Sequence, residues 1–227
     1  MKRLIELLHS EGCSCVIESQ GEIRAFRQRG VADLYDLYQN ERDFMQNAQL
    51  ADKVIGKGAA ALIVLGKMKE VYADIISTPA LSLLRAAGIK TSFGKEVPFI
   101  IKGIMTVKGA LKAKEAGAAA IVVSNHGGRV LDQCPATAEV LAEIADAVGN
   151  DMKILVDGGI RSGVDIFKAL ALGADAVLIG RPFVTAVYGG GAEGVAAYTA
   201  KLAAELEDTM AMCGAHSLSE ISRDMVR

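Results

Sequence analysis

Apolar and polar positions follow two different rhythms along the chain. From Pro98 onward, short apolar runs alternate with amphipathic stretches: "PFIIKG", "TVKGALKAKEAG", "AAIVVSN", "ATAEVLAEIADAVG", "MKILVDGG", "SGVDIFKALALG" and "ADAVLIG", ending in a long helical pattern near Glu193 to Cys213. Short strands separated by amphipathic helices predict parallel pairing through crossover connections. The pattern also repeats itself. "KAKEAGAAAIVVSN" from Lys112 matches "KALALGADAVLIGR" from Lys168 in its Lys-Ala start, its glycine and two of its alanines, an offset of 56 residues that equals two βα units. Such a duplication is what an internally repeated barrel would show, so residues 98–227 read as four βα units, half of a (β/α)8 barrel.

The first 97 residues keep a different rhythm. "KRLIELLHSEG" reads as a helix, "CSCVIES" and "EIRAFR" as a hairpin turning at Gln20-Gly21. Helices are expected near Leu34 to Tyr38 and Leu50 to Gly58, then strands at "ALIVLG" and "VYADII". A helix at "TPALSLLRAAG" has Pro79 in its first turn, and "IKTSFG" closes the segment as a strand. This predicts a small three-layer α/β/α domain over residues 1–97, with the boundary near Lys95 to Pro98.

Composition narrows the function classes. A chain of 227 residues with 24 glycines, 4 prolines and about half hydrophobic residues is a compact α/β protein. A net charge of −2 points to neither nucleic acid nor an anionic membrane surface. Cys13, Cys15, Cys134 and Cys213 form no CxxC pair and no zinc-like cluster, so reduced thiols in the cytoplasm are expected. Glu6 interrupts the first apolar stretch, so no signal peptide is read, and the longest apolar runs are far too short to span a bilayer.

In the second region every candidate functional group follows a strand: Lys102; Ser124, Asn125 and His126; Asp157 with Gly158 and Gly159; Gly180 and Arg181. In a (β/α)8 barrel these strand ends share the catalytic face. "DGGIRSG" and "IGRPF" combine glycines, which let backbone N–H groups approach an anion, with Arg161 and Arg181, which can grip phosphate oxygens in a fork. Either motif alone is also what a tight βα turn uses; together, on adjacent strands, they favour a phosphate site. A single histidine after a strand is often structural, but His126 has Arg129 three residues on. A base beside a bidentate cation suits a substrate whose carboxylate adjoins the carbon that loses a proton.

These residues carry a family resemblance. Through "KGI", "IVVSNHGGRVLD", "PAT", "ILVDGGIRSGVDIFKALALGADAVLIGRPF" and "ELEDTMAMCGAHSLSEI", residues 98–227 closely resemble the C-terminal half of the FMN-dependent 2-hydroxy-acid oxidases and dehydrogenases, which include glycolate and lactate oxidases. The resemblance implies FMN as cofactor, His126 as catalytic base and Arg129 as clamp on the substrate carboxylate. Lys102 would face the flavin N1/O2 edge and Ser124 would lie by the flavin, while Asp157, Gly159, Arg161, Gly180 and Arg181 would hold the ribityl chain and phosphate. It covers four of eight βα units. The resemblance places the family's flavin N5-side contacts, substrate tyrosines and histidine-orienting aspartate in the other four, so His126 is expected to lack the carboxylate that would stabilise its protonated form.

Residues 1–97 resemble instead a small uncharacterised bacterial domain with a cytidine-deaminase-like fold, through "RGVADLYDLY", "ADKVIGKGAAALIVLG" and "VYADIISTPALSLLRAAGI". A zinc deaminase needs His or Cys with Glu on one helix and PCxxC at the start of another, whereas the corresponding stretches read "DKVIGKGAA" and "STPALSLL". No metal is expected. Asp52, Lys53 and Lys57 read as a ligand-binding rim or a solvated helix face, and the two resemblances meeting around "VPFII" suggest a fusion. Three functions stay open: FMN-dependent oxidation of a small 2-hydroxy acid, flavin or phosphate binding without turnover, and a fusion whose working part is the N-terminal domain. Half a barrel leaves two open sheet edges, which predicts a homo-oligomer that closes it.

Overall fold

The computed structural model describes residues 1–226. The chain divides into two units, Met1–Phe99 and Ile100–Arg227.

Unit 1 is built on a five-stranded sheet. In chain order its elements are α1 (Lys2–Ser10), β1 (Cys15–Ser19), β2 (Glu22–Phe26), α2 (Ala32–Asn40), α3 (Arg42–Met45), β3 (Gln49–Ile55), α4 (Lys57–Leu65), β4 (Glu70–Ser77), α5 (Thr78–Ala86) and β5 (Lys90–Val97). The sheet order is β2-β1-β3-β4-β5. β1 runs antiparallel to both β2 and β3, while β3, β4 and β5 are parallel. Alternation along β1 sends Val16 to one face, where Leu4 and Leu8 of α1 cover it, and Cys15 and Ile17 to the other. On that second face they join Leu34, Leu37, Ile63 and Leu84 of α2, α4 and α5 in a larger core. Helices therefore cover both faces of the sheet, giving three layers.

The hairpin forms where the turn chemistry places it, with Gln20 and Gly21 both at positive φ (52° and 85°). Residues 50–66 depart from expectation. The sequence pattern predicts a helix at Leu50 to Gly58 and a strand at "ALIVLG", whereas the structure has strand β3 and then helix α4. β3 is the middle strand, covered on both faces, so Leu50 and Ala51 are both fully buried and the alternation that marks a strand is lost. The β-branched run in α4 is overridden by packing. Gly56 precedes the first turn, Ala59, Ala60 and Ile63 make a buried stripe, and Leu62 and Val64 pack beside the same core.

Unit 2 is a run of four βα units: β6 (Ile100–Ile104), α6 (Val107–Glu115), β7 (Ala120–Val123), α7 (Thr137–Val148), β8 (Lys153–Asp157), α8 (Gly163–Ala171), β9 (Ala176–Leu178) and α9 (Arg181–Cys213). The four strands form one parallel sheet in the order β6-β7-β8-β9. The sequence repeat is a structural one. α6 and α8 are each followed by a left-handed glycine, Gly117 and Gly173 (φ 83° and 103°), and the next N–H, of Ala118 and Ala174, returns to the carbonyl of the buried Ala113 and Ala169. Side chains start the helices: Thr106 Oγ1 accepts the Gly109 N–H, and Ser162 Oγ accepts that of Asp165.

The last helix begins earlier than the pattern near Glu193 predicts. It starts at Arg181 with Pro182 in its first turn and breaks at Gly190 and Gly191, whose φ values are −156° and 53°. The glycine run that hides the first limb in the sequence is this break. Among the described residues no helix is long and apolar enough to cross a membrane, and no group of three or more His, Cys, Asp or Glu side chains is placed to hold a metal ion.

Candidate functional site

The C-terminal ends of β6 to β9 converge on a cleft of about 530 Å³ in unit 2. Its lining includes Lys102, His126, Arg129, Asp157, Gly159, Arg161, Gly180 and Arg181, every residue the family resemblance implies except Ser124. Ser124 is buried beneath it, 1% exposed. From there its hydroxyl accepts hydrogen bonds from Lys102 Nζ at 2.7 Å and from the His126 backbone N–H at 3.2 Å. Ser124 thus joins the strand that carries the lysine to the loop that carries the histidine.

The His126 loop is shaped by its own short polar groups. Asn125 Oδ1 accepts the Gly127 N–H at 3.0 Å, and its amide donates to the Pro135 carbonyl at 3.3 Å. His126 itself sits at φ 56°, a left-handed conformation a non-glycine residue holds only where its surroundings fix it. The imidazole lies over Gly103, where a Cβ would come within 2.7 Å of Cε1. Gly103 is at φ 95°, at an irregularity in the β6–β7 pairing. Arg129 Nε donates to the His126 carbonyl at 3.2 Å, tying base and cation into one loop. Among the described residues, neither ring nitrogen of His126 has a hydrogen-bond partner.

Asp157 anchors the opposite wall. One carboxylate oxygen pairs with Lys102 Nζ, and the other, Oδ1, is buried with no partner among the described residues. Its carbonyl accepts from Thr137 Oγ1 at 2.7 Å, fixing the end of β8. Gly158 and Gly159 follow at φ 92° and 83°, conformations that strain any L side chain, and a Cβ on Gly159 or Gly180 would meet nothing within 4 Å. The Arg181 guanidinium reaches back to the His126 loop, with Nη2 3.1 Å from where a Gly127 Cβ would stand. Asp165 braces the Arg161 turn. Burial works to raise its pKa, but the N–H groups of Arg161 and Ser162 and the Ser162 hydroxyl hold its carboxyl below the usual range.

The cleft therefore presents Lys102, Arg129, Arg161 and Arg181 against one carboxylate, Asp157, a positive field suited to anionic groups. Gly103 and Thr137 were not singled out by the sequence reading. Gly103 had a signal, since it stands inside the "KGI" motif. Thr137 likewise stands inside the "PAT" motif, although its role depends on where β8 ends.

A model of the FMN-dependent dehydrogenase family matches residues 26–227. A peroxisomal (S)-2-hydroxyacid oxidase of Arabidopsis thaliana is 50% identical over 132 residues, 58% of this chain and 36% of the relative. An L-lactate oxidase of Roseobacter sp. (strain GAI101) is 47% identical over 130 residues, 57% of this chain and 35% of the relative. Among solved structures, a mandelate oxidase aligns with a TM-score of 0.56 at 31% identity, covering 75% of this chain and 61% of that one. A lactate oxidase of Pediococcus acidilactici aligns at 0.55 and 29%, covering 74% and 55%. The chain spans about a third of the length of these two curated relatives.

Proposed function

Since the chain belongs to the FMN-dependent dehydrogenase family, we propose that unit 2 holds FMN in its cleft and oxidises a small 2-hydroxy acid of the lactate or glycolate type to the 2-oxo acid. The observation that carries this reading is the gathering of a base, a carboxylate clamp and two phosphate-type arginines around one cavity.

The residues fit the cofactor. A cavity of about 530 Å³ has the volume of a typical cofactor site. The unpartnered Asp157 Oδ1 can accept from a ribityl hydroxyl, and Gly159 and Gly180 leave the space a side chain would fill. Arg161 and Arg181 would supply forked donors for the phosphate, and Lys102 would offer a positive charge to the reduced ring. When bound, the flavin supplies the two-electron acceptor. Arg129 orients the substrate carboxylate, and a ring nitrogen of His126 takes up a substrate proton as the hydroxy acid becomes the oxo acid.

A second reading, flavin or phosphate binding without turnover, is favoured by the unpartnered His126 ring, because an imidazolium without an orienting acceptor gains less stabilisation. Adding FMN and then lactate or glycolate without oxygen separates the two. Yellow protein that bleaches supports oxidation, stable yellow supports binding alone, and protein that takes up no flavin overturns both.

For unit 1, the three-layer arrangement supports a cytidine-deaminase-like domain. Its mixed sheet departs from the βα repeat, which supports reading the chain as two joined segments, and a fusion whose working part is unit 1 is the remaining alternative. The four free cysteines suit the cytoplasm. The two unpaired edges of the unit 2 sheet, with Ile100 exposed on β6, support a homo-oligomer.

A further inference from the structure

The break in α9 folds its second limb back on the first. In one straight helix Phe183 and Tyr198 would stand about 22 Å apart at 1.5 Å per residue, yet their rings meet edge to face with centroids 5.1 Å apart. Gly194 makes this approach possible, since a Cβ there would lie 2.3 Å from the Ala186 carbonyl oxygen. The returning limb reaches the β8–α8 turn, where the Tyr198 hydroxyl donates to the Arg161 carbonyl at 2.9 Å. Further along, Glu205 Oε2 accepts the Gly163 N–H at 2.9 Å. Tyr198 therefore touches both arginine-bearing segments, Arg161 through its backbone and Arg181 through Phe183 two residues on.

We propose that Tyr198 is a positioning residue for the anion end of the cleft, setting the spacing of Arg161 and Arg181 so that both close on one phosphate. This inference rests on the reading of that end as the phosphate site. The backbone of Arg161 is held on two sides, by Asp165 at its N–H and by Tyr198 at its carbonyl, while its Nη1 bonds the Gly159 carbonyl at 3.2 Å. Releasing the carbonyl frees the turn to rotate and lets the guanidinium drift, without touching the part of the cleft around Lys102 and His126.

The test compares FMN with riboflavin, which lacks the phosphate, by fluorescence titration of flavin-free protein. Tyr198→Phe keeps the ring on Phe183 and loses only the hydroxyl. It is expected to weaken FMN binding about three- to tenfold, the worth of one hydrogen bond, with riboflavin changed less than about twofold. Equal weakening of both ligands, or no change in either, would overturn the proposal. Arg161→Ala and Arg181→Ala serve as reference variants. If they lower the FMN-to-riboflavin ratio and Tyr198→Phe does not, the tyrosine has no positioning role. If neither arginine variant lowers the ratio, the phosphate reading itself fails and the proposal falls with it.

Discussion

At the scale of single residues, the site depends on one glycine as much as on its charged groups. His126 is exposed and has no ring hydrogen bond among the described residues, so the backbone beneath it does most to define its position. A methyl group at Gly103 would stand 2.7 Å from Cε1 in a backbone conformation that disfavours it. Gly103→Ala should therefore push the imidazole aside while leaving the phosphate end intact. Misplacement by about 1 Å can cost on the order of 100-fold in rate, so reduction of bound flavin by the hydroxy acid should slow at least about tenfold at normal flavin content. Rapid-mixing absorbance would measure this, and an unchanged rate would show that His126 does not act from this position. The two ends of the cleft should also separate. Arg181→Ala removes a charged donor worth roughly 1.5–3 kcal/mol and should weaken flavin retention more than His126→Ala, whose lost side chain is proposed to serve the substrate. Equilibrium dialysis would compare them, and equal losses would contradict the division of roles.

At the scale of elements, β3 carries a buried cost. Asp52 is 9% exposed, and burial pushes its carboxyl up to about 7, against the opposing N–H groups of Val54 and Lys53 and with the nearby charges of Asp74 and Asp33 adding to the rise. The folded state thus binds a proton more tightly than the unfolded chain, so its stabilisation is fully present below the ordinary carboxylate value and is lost as pH rises toward 7. Stability should fall by up to ~4 kcal/mol across that window. Asp52→Asn keeps an acceptor for the Val54 N–H and should flatten the dependence. Urea unfolding followed by circular dichroism at pH 5 and pH 8 would test it; a variant with the same pH slope as the parent would exclude Asp52 as the source.

The same strand shows where sequence is informative. The hairpin was legible because a two-residue turn needs positive φ at both positions and Gln20-Gly21 tolerates it. The βα alternation, the repeat and the strand-end residues of the cleft were legible because turn glycines and charged groups must stand at fixed points in each unit. β3 and α4 were exchanged because burial on both faces removes the alternation of one and an all-round apolar surface removes the amphipathic stripe of the other. The positions of Ser124 beneath the cleft and of Tyr198 beside Arg161 were hidden for a different reason. Each depends on a partner 22 or 37 residues away that only the tertiary fold brings near.

At the scale of the molecule, the parallel sheet of unit 2 ends on two unpaired edges. β6 exposes Ile100 at 49%, so this edge joins free backbone donors and acceptors to an apolar side chain, and the short β9 leaves its outer backbone unpaired. A charged residue at the Ile100 position would oppose pairing, but it is aliphatic. The 56-residue repeat gives the sheet a built-in way to continue: β8-α8-β9-α9 repeats β6-α6-β7-α7, so a second chain can supply the next step at β9 and receive the first chain at β6. Eight strands is the number at which such a ring closes with its interior filled by side chains. The full chain should therefore run at twice the chain mass or more by light scattering, and a fragment starting at Pro98 should associate or precipitate. Charging one edge, as in Ile100→Lys, should shift the full chain toward the monomer at micromolar concentration. A soluble, folded, monomeric fragment would refute the pairing, because it would show that the exposed edges of this sheet are stable in water without a partner.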